Sequence, residues 1–171
     1  MRAILLILFA MLSFRAAAAP GEDAIFALAS PAIEPSAPAR ASTDPRLSEM
    51  LLYAISLSGT PYRYGGKSRQ EGFDCSGFVA HVFKNTLNFA LPPNAAAMSR
   101  LGRTITTTEL APGDLVFFNT LANPYSHVGI YIGDERFIHS PRSGGKIEIV
   151  HMQQKYWASR FDGARRLLPF D

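Results

Sequence analysis

The spacing of hydrophobic residues changes once along the chain, and this change most constrains the fold. After Asp44-Pro45, apolar residues recur at helical spacing up to Gly59, and a second amphipathic segment runs from Cys75 to about Asn85. Further along, apolar residues occur in short β-branched or aromatic runs bounded by Gly, Pro, Asn or Asp. These runs are residues 114–119, 127–133, 136–140, 146–150 and 164–168. Helices followed by strands predict an α+β domain, with the helices packed on one face of an antiparallel sheet.

The N-terminal quarter of the chain does not follow this pattern. A basic residue, an apolar run at residues 3–14 and a cluster of small alanines are typical of a secretory signal peptide, which we expect at residues 1–18. A membrane anchor is the alternative, but this run is shorter than the roughly 20 residues that span a bilayer. Residues 19–44 are rich in Ala and Pro and predict a flexible linker. We therefore expect the folded domain at residues 45–171.

The charge of the chain indicates no class of partner. The formal charge is +3, and it falls to +1 when Arg2 and Arg15 leave with the predicted signal peptide. This value is too small to predict binding to nucleic acid or to anionic lipid. We expect an exported monomer, periplasmic or secreted, with no nucleic-acid partner and no stable membrane insertion after signal cleavage.

Cys75 is the only cysteine in the chain. In an exported protein a single cysteine is a buried small hydrophobe, an intermolecular link or a functional thiol. It directly follows Asp74, a helix-capping residue type, so its sulfur lies at the first turn of a helix. There the unpaired backbone amides and the helix dipole favour an anion. We expect this setting to lower the pKa of the thiol and to make Cys75 a nucleophile.

Two histidines lie where they can activate such a thiol. Strand alternation along residues 127–132 places His127 on the face opposite three aliphatic residues. His139 lies near the end of the next predicted strand, and a hairpin through residues 133–135 brings it close to His127. We predict that His127 is the base and that His139 orients it.

A zinc site is an alternative interpretation, because one cysteine and two histidines are suitable zinc ligands. The chain lacks the closely spaced Cys-x₂-Cys or His-x₃-His pairs that are common in zinc sites. We therefore predict no metal and no cofactor. His81 and His151 have no comparable setting, and no role is predicted for them.

Four ordered blocks of sequence contain these residues. They are Gly59-Thr60-Pro61-Tyr62-Arg63-Tyr64-Gly65-Gly66, residues 73–79, residues 110–118, and residues 126–133 with Phe137-Ile138-His139. The blocks are distributed between Gly59 and His139, and they resemble the NlpC family of peptidoglycan cysteine endopeptidases. The resemblance implies a papain-like α+β fold with Cys75 as nucleophile, His127 as general base and His139 as the third, orienting residue.

The resemblance also implies roles for three residues near Cys75. Tyr64 would help to hold the oxyanion of the tetrahedral intermediate beside the backbone amide of Cys75. The alternative for Tyr64 is a packing aromatic in a turn. Asp74 and Ser76 would help to bind substrate near the scissile bond.

The chain departs from the family pattern after the predicted catalytic helix. Relatives often carry Leu-Pro-Arg followed by Thr or Ser, whereas this chain reads Leu91-Pro92-Pro93-Asn94. A substrate-contacting arginine is therefore missing from its usual place, and Arg100 and Arg103 are candidates to replace it.

The substrate implied by the resemblance is the peptide part of peptidoglycan. The bond is either the D-Ala to meso-diaminopimelate cross-link or the γ-D-Glu to meso-diaminopimelate bond within a stem. The match at residues 62–66 and the lack of an appended wall-binding domain favour the cross-link. Two other functions remain open: a murein-binding module without turnover, and a thiol amidase or acyltransferase acting on another substrate.

Overall fold

The computed structural model describes residues 44–167. The predicted signal peptide lies outside the described residues, as do all of the predicted linker except Asp44 and the last four residues of the chain. No helix among the described residues is long and apolar enough to cross a membrane.

Two long helices and two single-turn helices form the helical part of the described residues. They are α1 (Pro45–Ser56), α2 (Cys75–Leu87), α3 (Ala95–Met98) and α4 (Lys155–Ala158). The Asp44 carboxylate caps α1 by accepting a hydrogen bond from the backbone N of Arg46 at 2.9 Å, and Pro45 occupies the first turn. Both helices predicted from the sequence are confirmed. α3 and α4 were not predicted, because four residues are too few to show a helical period.

The strands form a short ribbon and one larger antiparallel sheet. The ribbon pairs β1 (Lys67–Ser68) with β2 (Gly72–Phe73) just before α2. The sheet has the order β3-β8-β4-β5-β6-β7. Its strands are β3 (Arg103–Ile105), β4 (Leu115–Phe118), β5 (His127–Gly133), β6 (Arg136–His139), β7 (Glu148–His151) and β8 (Phe161–Arg166). A 3-10 turn (Thr107–Glu109) lies between β3 and β4. The five predicted strands are confirmed with small shifts in their ends, so the predicted α+β class is correct.

Side-chain alternation along the sheet separates two apolar layers. Val128 and Ile130 of β5 lie in the larger layer, with the buried residues of α1 and α2. Tyr131 lies in the smaller layer on the other face, with Phe118 and Trp157. The predicted packing of the helices against one face is therefore confirmed. His127 has the same strand parity as Tyr131, and its ring lies against Trp157.

A buried ion pair joins the start of β4 to β8. The Asp114 side chain is 2% exposed and accepts hydrogen bonds from Nε and Nη2 of Arg166 at 2.8 and 2.7 Å. The backbone N of Ala111 donates to the same carboxylate at 2.9 Å. This bidentate contact fixes two neighbouring strands, which gives Asp114 a structural role.

Candidate active site

A cavity of about 260 Å³ is lined by Cys75 of α2 and His127 of β5. Tyr62, Glu148 and Trp157 are also among its lining residues. The sequence segments that form it are far apart in the chain, so only the folded domain brings the predicted nucleophile and the predicted base together.

A close glycine contact fixes the loop before β1 against the start of α2. A Cβ atom on Gly77 would overlap the carbonyl oxygen of Gly66, and that oxygen accepts a hydrogen bond from the backbone N of Asp74 at 3.2 Å. The Asp74 carboxylate accepts hydrogen bonds from Gly77 N at 2.6 Å and from Gly65 N at 3.0 Å. The predicted helix cap is confirmed, and it also holds the loop beside Cys75.

The free protein does not favour the thiolate of Cys75. Burial raises the pKa of the thiol to about 11, and the nearby Asp74 carboxylate also raises it. Hydrogen bonds from the backbones of Val128 and Ser76 oppose this shift but are weaker. The predicted lowering of the Cys75 pKa is therefore wrong for the resting state, because lost hydration outweighs the helix terminus. Cys75 is a neutral thiol at neutral pH.

His127 and His139 form a buried hydrogen-bonded pair. Nε2 of His127 lies 2.8 Å from Nδ1 of His139, and the two ring planes are 85° apart. Both residues belong to adjacent antiparallel strands, β5 and β6. The predicted proximity of the two histidines is confirmed.

Gly129 allows this close packing of β5 and β6. A Cβ atom at Gly129 would lie 2.6 Å from the Phe137 ring, 2.9 Å from the Ile138 carbonyl oxygen and 3.2 Å from Cβ of His139. A side chain at this position would therefore displace the strand that carries His139.

Both imidazoles are neutral at neutral pH. Burial lowers the pKa of His127 to about 4. Burial, with a contribution from the neighbouring His127, lowers the pKa of His139 to about 2. The Trp157 ring packs against both imidazoles, with its centroid 5.5 Å from that of His127 and 4.8 Å from that of His139. The pair therefore rests in a largely apolar enclosure that disfavours charge.

Tyr62, and not Tyr64, faces Cys75. The Tyr64 side chain is 88% exposed and is not among the residues lining the Cys75 cavity, whereas Tyr62 is. Burial raises the pKa of the Tyr62 hydroxyl, and Cys75 contributes to the shift. A backbone hydrogen bond from Tyr62 N to Gly145 O at 2.9 Å holds the residue in place. The geometry therefore does not support the role predicted for Tyr64. The two tyrosines are separated only by Arg63, so the sequence contains no signal that distinguishes them.

Asp74 and Ser76 line a second cavity of about 320 Å³, which also contains Pro93 and Lys84. The Ser76 hydroxyl lies 3.0 Å from both the Asp74 carboxylate and the Pro93 carbonyl oxygen. His81, for which no role was predicted, lines the same cavity and hydrogen bonds to Tyr53. The two predicted binding residues thus lie in the wall of a cavity separate from the one that contains His127.

Neither Arg100 nor Arg103, the candidates for the missing arginine, lines the Cys75 cavity or the second cavity. Arg103 pairs with Glu109 at 3.0 Å, and Asn94 caps α3 through its side chain. Arg142 lines the Cys75 cavity instead. Within residues 44–167, no three His, Cys, Asp or Glu side chains are grouped so as to hold a metal ion.

Comparison with known proteins places the chain in a family. A family model described as the NlpC/P60 family matches residues 59–166. The chain belongs to the NlpC/P60 family. Its NlpC/P60 domain resembles the crystal structure of an NlpC/P60 family protein from Bacillus cereus, with a TM-score of 0.67 at 34% identity over 72% of this chain and 40% of that one. The expected papain-like α+β fold agrees with this likeness.

Two curated relatives share the NlpC/P60 domain. The murein DD-endopeptidase MepH of Escherichia coli K12 is 42% identical over 113 residues, which are 64% of this chain and 42% of MepH. The gamma-DL-glutamyl hydrolase of Bacillus subtilis 168 is 42% identical over 109 residues, which are 63% of this chain and 26% of that protein. The chain therefore spans less than half of the length of each of these relatives.

Proposed function

We propose that this chain is a cysteine endopeptidase that hydrolyses an amide bond in the peptide part of peptidoglycan. One observation carries the proposal: within an NlpC/P60 domain, the sole cysteine shares a cavity with His127, and His127 is hydrogen bonded to the buried His139. The names of the relatives, a murein DD-endopeptidase and a gamma-DL-glutamyl hydrolase, support a peptide bond of this class.

The reaction starts from a neutral thiol and a neutral imidazole. Nε2 of His127 is occupied by His139, so Nδ1 is the nitrogen left to accept the Cys75 proton. For His127 to act as base, its Nε2–H must donate to Nδ1 of His139. Sγ of Cys75 attacks the carbonyl carbon as its proton passes to His127, so that charge forms only when substrate is present.

Tyr62 and the backbone N–H of Cys75 are the proposed donors to the oxyanion. Tyr62 lines the cavity beside Cys75, and a hydroxyl held there by the protein is oriented before the reaction begins. Tyr62 therefore takes the role that the sequence suggested for Tyr64.

The tetrahedral intermediate then collapses to a thioester on Cys75. The C–N bond breaks, and His127 returns its proton to the leaving amine. Water next attacks the thioester carbonyl while His127 accepts a proton, and the Cys75 sulfur leaves and is reprotonated. The carboxylic acid product departs, and the enzyme regains its neutral resting state.

The proposed scissile bond is the D-Ala to meso-diaminopimelate cross-link, which the sequence match at residues 62–66 favours. Asp74 and Ser76 are proposed to bind the stem peptide through the second cavity. Arg142, in the wall of the Cys75 cavity, supplies a cation for a substrate carboxylate and takes the place of the missing arginine. The proposed setting is an exported monomer acting in the periplasm or outside the cell.

Digestion of purified murein tests this function. Murein is incubated with the protein lacking residues 1–18, then cut with a muramidase, and the fragments are identified by mass spectrometry against a blank without protein. Conversion of cross-linked dimers to monomers is the expected result. Shortened stems would move the scissile bond to the γ-D-Glu position. Unchanged murein would contradict the proposal and, with retained binding, would favour a murein-binding module. An acyl group of non-murein origin trapped on Cys75 would favour the amidase or acyltransferase function.

A further inference from the structure

The buried end of the histidine pair lacks a hydrogen-bond partner. The His139 side chain is fully buried, and its Nε2 atom has no hydrogen-bond partner among residues 44–167. The nearest acidic oxygen is Oε1 of Glu148, at 4.0 Å. A buried polar nitrogen without a partner is unfavourable, and it is rare in native proteins unless the group has a function.

The tautomer needed for catalysis places a proton on this nitrogen. Nδ1 of His139 lies 2.8 Å from Nε2 of His127 and must accept its hydrogen bond if His127 is the base. A neutral imidazole carries one proton, so His139 must carry it on Nε2. That N–H needs an acceptor, because otherwise the opposite tautomer, with His139 donating to His127, becomes competitive and disables the base.

Glu148 is placed by the sheet to supply the acceptor. His139 and Glu148 are directly paired residues of β6 and β7, so their side chains project from the same face. The Glu148 side chain is 56% exposed and lines the Cys75 cavity. A rotation of this exposed side chain that moves its oxygen by about 1 Å brings it within ordinary hydrogen-bonding distance.

We propose that Glu148 is a positioning residue that accepts a hydrogen bond from Nε2–H of His139 and so fixes the tautomer of the whole pair. The hydrogen bonds then run from His127 through His139 to a carboxylate at the wall of the cavity that Cys75 lines. This inference rests on the proposed function for its catalytic meaning. The hydrogen bond between His139 and Glu148 can nevertheless be tested in the free protein, without substrate.

The charged and titratable groups around the pair come from several elements. Arg142, which precedes β7 in the chain, and Tyr156 of α4 both line the cavity. Cys75 of α2 and Tyr62 of the loop before β1 line the cavity as well, and the Asp74 carboxylate, which caps α2, acts on the Cys75 thiol. Among these, Glu148 is the carboxylate within 4.0 Å of His139. Its negative charge favours the imidazolium that forms during the reaction.

Three variants test the proposal. Glu148→Ala removes the acceptor, Glu148→Gln keeps an acceptor oxygen without the charge, and Glu135→Gln is the matched control. Glu135, in the turn between β5 and β6, lies 3.8 Å from Nε2 of His151 of β7 in an exposed pair, and it does not line the Cys75 cavity.

In turnover of a cross-linked muropeptide, we expect the Glu148 variants to change kcat without a comparable change in KM. Glu148→Ala lowers kcat about tenfold with little change in KM, and Glu148→Gln recovers part of the loss, because orienting the base affects the chemical step. In both variants the acid limb of the pH profile moves to lower pH, since a favourable charge has been removed. Glu135→Gln matches the unsubstituted protein.

Nitrogen-15 NMR of the free protein provides the second readout. The proposal predicts that His139 is protonated on Nε2 and that Glu148→Ala shifts it toward a mixture of tautomers. An unchanged tautomer in Glu148→Ala, or a kcat within twofold of the unsubstituted protein, overturns the proposal. If the unsubstituted protein cleaves no muropeptide, the proposed function fails, and the NMR result still decides whether Glu148 holds His139.

Discussion

Nε2 of His127 and Nδ1 of His139 are 2.8 Å apart across two neighbouring strands, so each imidazole can be neutral only if the other adopts the complementary tautomer. The pair packs against aromatic rings, including that of Trp157, and Cys75, which lines the same cavity as His127, is largely shielded from water. Under the proposed function, the catalytic groups are therefore uncharged in the free protein, and proton transfer begins only when substrate is bound.

The reactivity of the free thiol follows from this resting state. We expect the rate of Cys75 alkylation by iodoacetamide to rise about tenfold per pH unit between pH 7 and 9, because burial raises the thiol pKa to about 11. Cys75 is the only cysteine, so intact mass spectrometry measures the rate directly. A rate that is already at its plateau by pH 7 would show a preformed thiolate and contradict the neutral resting state.

The two tyrosines of the loop before β1 are expected to differ in their effects on turnover. Tyr62→Phe removes a proposed oxyanion donor and should lower kcat about 100-fold with little change in KM. Tyr64→Phe, at a residue that is 88% exposed, should stay within twofold of the unsubstituted protein. Steady-state kinetics on one cross-linked muropeptide compares them. The reverse order would restore the role that the sequence suggested for Tyr64.

Acid should weaken the fold through the buried histidines. Unfolded histidines titrate near 6.5, whereas burial lowers the folded pKa of His127 to about 4 and that of His139 to about 2. Below pH 6.5 the unfolded chain therefore binds more protons than the folded one, so stability is fully present above that pH and falls as the pH decreases. The expected loss between pH 7 and 5 is on the order of 2 kcal/mol for each histidine.

Urea denaturation at pH 7, 6 and 5 measures this loss. His127→Gln should flatten the dependence of the unfolding free energy on pH, and His151→Gln, at an exposed residue, should leave it unchanged. Equal slopes in the two variants would contradict the assignment to the buried pair.

The ion pair between β4 and β8 should contribute strongly to stability. Asp114→Asn should lower the free energy of unfolding by about 3 kcal/mol, because it leaves the partly buried Arg166 without its charged partner. The matched control is Asp134→Asn, whose exposed pair with Arg136 at 2.8 Å should contribute less than about 0.5 kcal/mol. Chemical denaturation measures the unfolding free energy of both variants. Similar losses would show that burial of an ion pair does not determine its contribution to stability.

Local patterns were sufficient to predict the main elements of the fold. The cap at Asp74, the amphipathic run after it and the alternation through His127 each depend on residues that are neighbours in sequence. The proximity of His127 and His139 also followed, because a tight hairpin fixes the register of two adjacent strands. By contrast, β1, β2 and α3 contain two to four residues each, too few to show a period.

Features that depend on distant segments were not predictable in the same way. Tyr62 lines the Cys75 cavity, and its backbone N donates a hydrogen bond to Gly145 O, more than 80 residues away. The pKa of Cys75 is raised by burial in the folded domain, where residues as distant in sequence as Trp157 line the same cavity. A local argument from the helix N-terminus includes the favourable amides but omits this desolvation, and it therefore predicted the wrong direction.

The most direct test of the account is the kcat of Cys75→Ala on a purified cross-linked muropeptide, measured beside the unsubstituted protein and checked for folding by its unfolding free energy. The account predicts that Cys75→Ala folds normally and loses at least 1,000-fold in kcat, because the nucleophile is gone and no other thiol exists in the chain. A folded Cys75→Ala protein that retains more than about a tenth of the activity would show that the sulfur does not attack the substrate.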